Sequence, residues 1–138
     1  MIIGTGNDLI DIRRVERALQ RFGARFEDRI FTAVEQSKAR SRSKAGSRTV
    51  AATYAKRFAA KEACLKALGT DMNGISWRDM EVVSKTSGAP TLMLSGSALK
   101  RLQVLLPKNT SAAIHLALTD EYPFALAHVI IEAIPEIS

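Results

Sequence analysis

The run from Thr49 to Leu68, TVAATYAKRFAAKEACLKAL, constrains the fold more than any other feature of this chain, because it holds seven alanines and no proline or glycine. Such a segment favours helix strongly, and Gly69 directly after it suits a left-handed cap. At about 100° per residue, Tyr54, Phe58, Leu65 and Leu68 cluster on one arc. Ala52, Ala59, Ala60, Ala63 and Ala67 lie across the helix, with only Lys56 among them. Large apolar residues on one side and small ones on the other predict a helix buried on two faces. Lys61 nevertheless falls inside the large-residue arc, Glu62 at its margin and Lys66 just beyond. Charges beside a buried arc are costly unless they are paired, hydrogen-bonded or bound to an ion. Glu62 and Lys66 stand at i and i+4 in the favourable order, a pair worth about 0.2–0.5 kcal/mol on an exposed helix. Lys61 can snorkel past Phe58 to water. A ligand facing these charges is the competing explanation.

The remaining elements are arranged around this helix. Met1 to Asp8 reads as a strand loosened by glycine, with Gly4, Gly6 and Asp8 on one face and Ile3, Thr5 and Asn7 on the other. Asp11 is placed to cap a helix through RRVERALQRFGARF, where Ile12, Val15, Leu19, Phe22 and Phe26 recur at helical spacing. Arg13, Arg17, Arg21 and Arg25 recur every fourth residue on another side, and Gly23 breaks or kinks the segment. EQSKARSRSKAGSR, from Glu35 to Arg48, is expected to be a helix tail followed by a mobile loop, since it holds almost nothing to bury. MEVV and PTLML flank KTSGA as a hairpin, Ser97 to Leu106 fits a short helix, and AAIHLALT and PFALAHVIIEAI form a second hairpin around DEYP. The sum is an α+β fold: one compact domain over residues 1–138, with an antiparallel sheet packed on the long central helix.

Several function classes drop out. A single cysteine, Cys64, excludes an internal disulfide framework and suits a reducing compartment. The N-terminus lacks the features of a signal peptide and no run reaches membrane-spanning length, so a cytoplasmic protein without a membrane partner is expected. Charge is unevenly placed: Arg13 to Arg57 carries thirteen basic and four acidic residues, and the rest of the chain seven basic and ten acidic. A basic half suggests an anionic partner. Nucleic acid is not expected, because the basic region has no aromatic stacking pattern, zinc spacing or recognised motif. GTGNDL begins like a dinucleotide fingerprint, but it lacks the third glycine and Asp8 arrives too early.

Asp8 shares its strand face with two glycines, which leaves room around its carboxylate. Strand-end aspartates commonly serve as turn or helix caps. An aspartate in a glycine-lined pocket and a glutamate from an adjoining helix can instead hold a hard cation together. Mg²⁺ is typically bound by one or two carboxylates plus substrate phosphates and water. Arg57, Lys61 and Lys66, on the same helix as Glu62, suit contacts to a diphosphate beside such a cation.

GTGNDLIDIRRVER near the start and RFAAKEACLKALGT in the middle resemble the holo-[acyl-carrier-protein] synthases, the small 4′-phosphopantetheinyl transferases. RIFT (29–32), WRDMEVV (77–83) and AHVIIEA (127–133) extend the resemblance almost end to end. It implies a 4′-phosphopantetheinyl transferase-like α+β fold assembled as a homotrimer with active sites between subunits. It further implies Mg²⁺-dependent transfer of the phosphopantetheine arm of coenzyme A to a serine of an acidic apo acyl carrier protein, in fatty acid biosynthesis. Asp8 and Glu62 would hold the metal, and Asp8, Glu62 and Lys66 would be catalytic. Arg57, Phe58, Lys61, Lys66, His115 and Thr119 would border coenzyme A, and Arg14, Arg21 and Arg25 would meet the carrier protein. The family's late-strand pattern, His-x-Ser-x-(Ser/Thr)-His, is HLALTD here: His115 and Thr119 match, while Ala117 and Asp120 depart from it. The glycine-rich GTG after the long helix is GTD, with Asp71 as the departure.

Overall fold

Strand β1 (Ile2–Asp11) opens the chain and runs three residues beyond Asp8, where the expected strand ended. Asp11 then caps α1 (Ile12–Phe22), its side chain accepting from the Arg13 backbone N–H at 2.9 Å. Gly23, at φ 51°, breaks the helix, and a separate short helix α2 (Ala24–Ile30) follows. A computed structural model of the chain describes residues 1–137. After α2 come α3 (Ala33–Arg40), a single 3₁₀ turn (Ser43–Ala45) and the long helix α4 (Ser47–Ala67). A second 3₁₀ turn (Trp77–Asp79) leads to β2 (Met80–Ser84) and β3 (Pro90–Leu94). Helix α5 (Gly96–Leu105) precedes the closing hairpin β4 (Thr110–Glu121) and β5 (Phe124–Pro135).

Two sheets form rather than one. A three-stranded antiparallel sheet runs β1-β5-β4, and β2 pairs with β3 in a separate ribbon. Alternation along β5 explains how the larger sheet meets α4. Ala125, Ala127, Val129, Ile131 and Ala133 are buried toward the helix, and the residues between them face away. Opposite them on β1 stand Gly4, Gly6 and Asp8, paired with Ile131, Val129 and Ala127. The glycines are there because α4 lies directly against them. A Cβ on Gly4 would sit 1.9 Å from the Ala67 carbonyl oxygen, and one on Gly6 would sit 2.1 Å from that of Ala63. Small residues on both surfaces therefore let strand and helix approach backbone to backbone.

The two-faced burial of α4 is as its composition predicts. Ala55, Ala59, Ala60, Ala63, Tyr54, Cys64 and Leu68 are completely inaccessible. The helix ends in a Schellman motif, with Thr70 N–H donating to the Leu65 carbonyl at 3.1 Å and Gly69 N–H to that of Lys66 at 3.0 Å. Gly69 adopts φ 67°, which explains the choice of residue.

The polar segment from Glu35 to Arg48 departs from expectation. Its first part completes α3, in which Glu35 and Ala39 are fully buried. Thr32 and Glu35 form a reciprocal capping box at the N-terminus of this helix, so the glutamate starts the helix rather than trailing it.

Candidate active site

Asp8 and Glu62 come together where β1 crosses α4, on the glycine-cleared contact. Burial raises the pKa of the Asp8 carboxyl, opposed by Lys66 and Arg14. Burial likewise raises that of Glu62, and repulsion from Asp8 adds to it. Two desolvated carboxylates, one repelling the other, form a site that a cation would relieve. Among the described residues no cluster of three or more His, Cys, Asp or Glu side chains exists. Asp8 and Glu62 together offer two carboxylates, a donor set that suits a hard cation such as Mg²⁺ with its other positions filled by water or substrate. Asp8 keeps a 20% exposed side chain, so it remains reachable from solvent.

Lys66 reaches across from α4 to β1, donating to the Asn7 carbonyl at 2.8 Å and to Asp8 Oδ1 at 3.4 Å. The expected pairing with Glu62 one turn earlier does not form. The reason is geometric: β1 presents a carbonyl and a carboxylate to the same ammonium, and these contacts replace the i,i+4 bridge. Arg14, near the start of α1, contributes positive charge to both carboxylates. Arg57 is half-buried; its Nη1 donates to the Thr53 carbonyl at 3.3 Å and its Nε is buried without a hydrogen-bond partner. Its charged neighbours are Glu35 and Arg42, so it stands one turn before Lys61 on the α3 side of the helix and not with the carboxylate pair, which corrects its expected place beside the diphosphate.

Lys61 does not join this group. Its side chain is 0% exposed, and the ammonium donates to the Ile30 carbonyl at 2.8 Å, Glu35 Oε1 at 2.7 Å and the Trp77 carbonyl at 3.1 Å. All three ammonium protons are therefore used inside the protein, on the side of α4 facing α2 and α3. Burial holds its pKa below the ordinary lysine value despite the opposing pull of Glu35. The expectations of a phosphate contact and of a snorkelling side chain are both corrected: 100° of helix rotation separates Lys61 from the face that Glu62 presents.

Phe58 is half-buried, with its ring edge-on to Trp77 at 5.1 Å between centroids. Both border a groove beneath α1 and α2. Arg14 and Arg21 line a neighbouring surface cleft along α1, and Arg25 edges the groove. These three arginines are exposed on one continuous flank.

His115 and Thr119 lie elsewhere. Their register partners are Ile130 and Leu126, so they occupy the sheet face turned away from α4, opposite to Asp8. Within one chain they do not meet the carboxylate pair. His115 Nε2 contacts Glu132 Oε1 at 3.0 Å instead. Asp120 pairs with Lys56 at 2.9 Å, in a small basic pocket that includes Arg42 and Arg48. Asp71 accepts from the Asn73 N–H at 2.8 Å and closes its own turn.

Sequence reasoning overlooked Glu35, Trp77 and Glu27. Glu27 is 5% exposed, takes two hydrogen bonds from Arg40 at 2.6 and 2.8 Å, and also accepts from the Tyr54 hydroxyl. The Thr32-x-x-Glu35 spacing was a legible capping signal. The other contacts have no local signature.

The model of the 4′-phosphopantetheinyl transferase superfamily matches residues 4–127. The chain is 60% identical over 136 residues to the holo-[acyl-carrier-protein] synthase of Brucella ovis, covering 98% of each. It is similar to the crystal structure of holo-[acyl-carrier-protein] synthase from Neisseria meningitidis, with TM-score 0.78 and 32% identity over 96% of this chain and 99% of that one. The Bacillus anthracis enzyme in complex with CoA (3′,5′-ADP) aligns with TM-score 0.73 and 33% identity over 95% and 96% of the two chains.

Proposed function

Because the chain belongs to the 4′-phosphopantetheinyl transferase superfamily, as an enzyme of the holo-[acyl-carrier-protein] synthase kind, we propose that it catalyses Mg²⁺-dependent transfer from coenzyme A to acyl carrier protein, serving fatty acid biosynthesis in the cytoplasm. The carrier's serine oxygen attacks the phosphorus that bears pantetheine. The phosphoanhydride P–O bond breaks, and adenosine 3′,5′-bisphosphate leaves with the electron pair. The serine proton passes to solvent, through a water held by Glu62 or Asp8.

The observation that carries this reading is the Asp8–Glu62 pair, two partly desolvated carboxylates from different elements, brought together where Gly4 and Gly6 let β1 pack directly on α4. These two residues would hold the cation, which when bound neutralises charge on the diphosphate oxygens. Lys66 sits beside them with a 55% exposed side chain and turns its ammonium to the same charge. Arg14, Arg21 and Arg25 give an acidic carrier a basic flank to dock on, and added salt weakens that capture.

The open face of the large sheet supports a homotrimer. Leu9, Phe124, Leu126 and Ile134 are 63%, 48%, 38% and 42% exposed on or beside it, a poor surface to leave in water. His115 and Thr119 share that face, so their part in binding coenzyme A is played across a subunit boundary. Among the described residues no helix is long and apolar enough to cross a membrane.

The test is mass spectrometry of an apo acyl carrier protein incubated with the protein, coenzyme A and Mg²⁺. A phosphopantetheine mass gain that EDTA abolishes is expected. No gain across several carriers sinks the proposal. Light scattering reads the assembly, with a trimer expected and a monomer at micromolar concentration contradicting the interfacial site.

A further inference from the structure

We propose that Lys61 is a positioning residue for carrier recognition, pinning α2 to the catalytic helix from below. The proposal rests on the transferase reading above. Helix α2 has seven residues, and Gly23 gives it no side-chain cap. A helix this short does not stand alone in water. Two buried polar contacts hold it to α4. Near its middle Glu27 accepts from the Tyr54 hydroxyl, and at its end the Ile30 carbonyl accepts from Lys61 Nζ at 2.8 Å. Tyr54 and Lys61 are seven residues apart, two turns along the same side of α4.

What α2 presents outward is basic. Arg25 and Arg29 are exposed on it and edge a groove of about 420 Å³ whose apolar floor includes Phe26, Ile30, Phe58 and Trp77. Lys61 holds the carbonyls of two of those floor residues, Ile30 and Trp77. Its counter-ion, Glu35, is equally inaccessible; it also accepts from Thr32 N–H and Val82 N–H, each at 2.9 Å. A swing of Lys61 toward substrate would strand Glu35 as an unpaired buried charge, which is strongly disfavoured. The lysine therefore serves substrate recognition through Ile30 and Trp77, never by touching phosphate.

The test uses the full chain carrying Lys61→Met with Glu35→Gln, which removes both charges together and keeps side-chain volume. With carrier and coenzyme A varied separately, KM for the carrier rises about tenfold, which corresponds to about 1.4 kcal/mol of lost docking energy. KM for coenzyme A and kcat stay close to the wild type, because Asp8 and Lys66 stand on the β1 side of α4, away from Lys61. The salt dependence of kcat/KM for the carrier becomes shallower, because α2 no longer delivers its arginines; a purely structural lysine would leave that slope unchanged. Unaltered carrier kinetics, or a loss confined to coenzyme A KM and kcat, overturns the proposal. Amine acylation of the wild-type protein gives a second reading, independent of how the variant folds. Lys66 is labelled and protected by coenzyme A with Mg²⁺, and Lys61 is unlabelled in either state. Labelling of Lys61 that coenzyme A suppresses contradicts the assignment. Failure of the transferase reading is distinguishable, since it shows as absence of transfer by the wild type.

Discussion

Lys61 and Glu62 are consecutive residues of α4, yet they belong to opposite kinds of environment. Glu62 faces β1, where glycines let strand and helix approach closely, the Asp8 side chain stays partly wet and like charges are held together at a cost. Lys61 faces α2 and α3, where no solvent reaches it and every proton has an acceptor. The first arrangement is electrostatically unfinished and invites a cation and phosphates. The second is complete and serves only the fold around it. A charge near a buried helix face thus identifies a site only when its hydrogen-bonding capacity remains unspent.

Breaking the complete side is the larger perturbation. Lys61→Met alone leaves Glu35 buried without a counter-ion, and urea unfolding should show a loss of about 3–5 kcal/mol. The charge-neutral double variant should lose much less. Equal losses in the two would mean that the pair is not the closed unit described.

On the open side the expected effect is on chemistry. Asp8→Asn or Glu62→Gln should lower kcat/KM by on the order of 10²–10³-fold at saturating Mg²⁺, as removal of a metal contact worth several kcal/mol would. Stability should move the other way. The folded-state pKa of Asp8 is raised above 3.8, so between that pH and the raised value the folded protein holds more protons than the unfolded one and stability declines as pH rises, then levels off. Asp8→Asn removes this decline, and its melting temperature in EDTA should exceed that of the wild type by a margin that grows from acid toward neutral pH. Mg²⁺ should narrow the margin by binding the native wild type. A variant less stable than the wild type in EDTA at neutral pH would refute the unfinished character of the site.

Gly6→Ala tests the floor between the two regions. Its new methyl would stand 2.1 Å from the Ala63 carbonyl oxygen, so β1 must lift from α4. A cost of about 1–3 kcal/mol is expected from overpacking, with transfer impaired as Asp8 moves with the strand. Lys56→Ala offers the smallest effect. Lys56 and Asp120 are 25% and 34% exposed, and losing this pair should change stability by less than about 1 kcal/mol in a thermal melt. A larger loss there would blur the distinction between partly solvated and sealed ion pairs.

Much of this was legible before any coordinates. Alanine content announced α4 and its two buried faces. Gly4, Gly6 and Asp8 on one strand face suggested open space around a carboxylate, whereas α4 packs directly onto the two glycines. Asp11 as a cap and Gly69 as a left-handed terminus were local chemistry, readable from neighbours in the chain. Illegible features all depended on partners far away. Glu35 looked like part of a solvated basic tail, yet its acceptors serve Lys61 and Val82, 26 and 47 residues further on. Lys66 appeared bound to Glu62 one turn away, but a strand 58 residues earlier in sequence claims it. Division of the strands into two sheets was likewise invisible, because alternation specifies a face and not a neighbour.

By itself, then, the sequence determined that a central helix carries three charges into a crowded region, that one strand pairs a carboxylate with glycines, and that one half of the chain is basic. Only the tertiary structure decided which charge is consumed and which is left over. Adjacent helical residues point 100° apart, so which charge is spent depends on the element packed against each face. Those elements, α2 and α3 on one side and β1 on the other, are brought there by the fold and not by proximity along the chain.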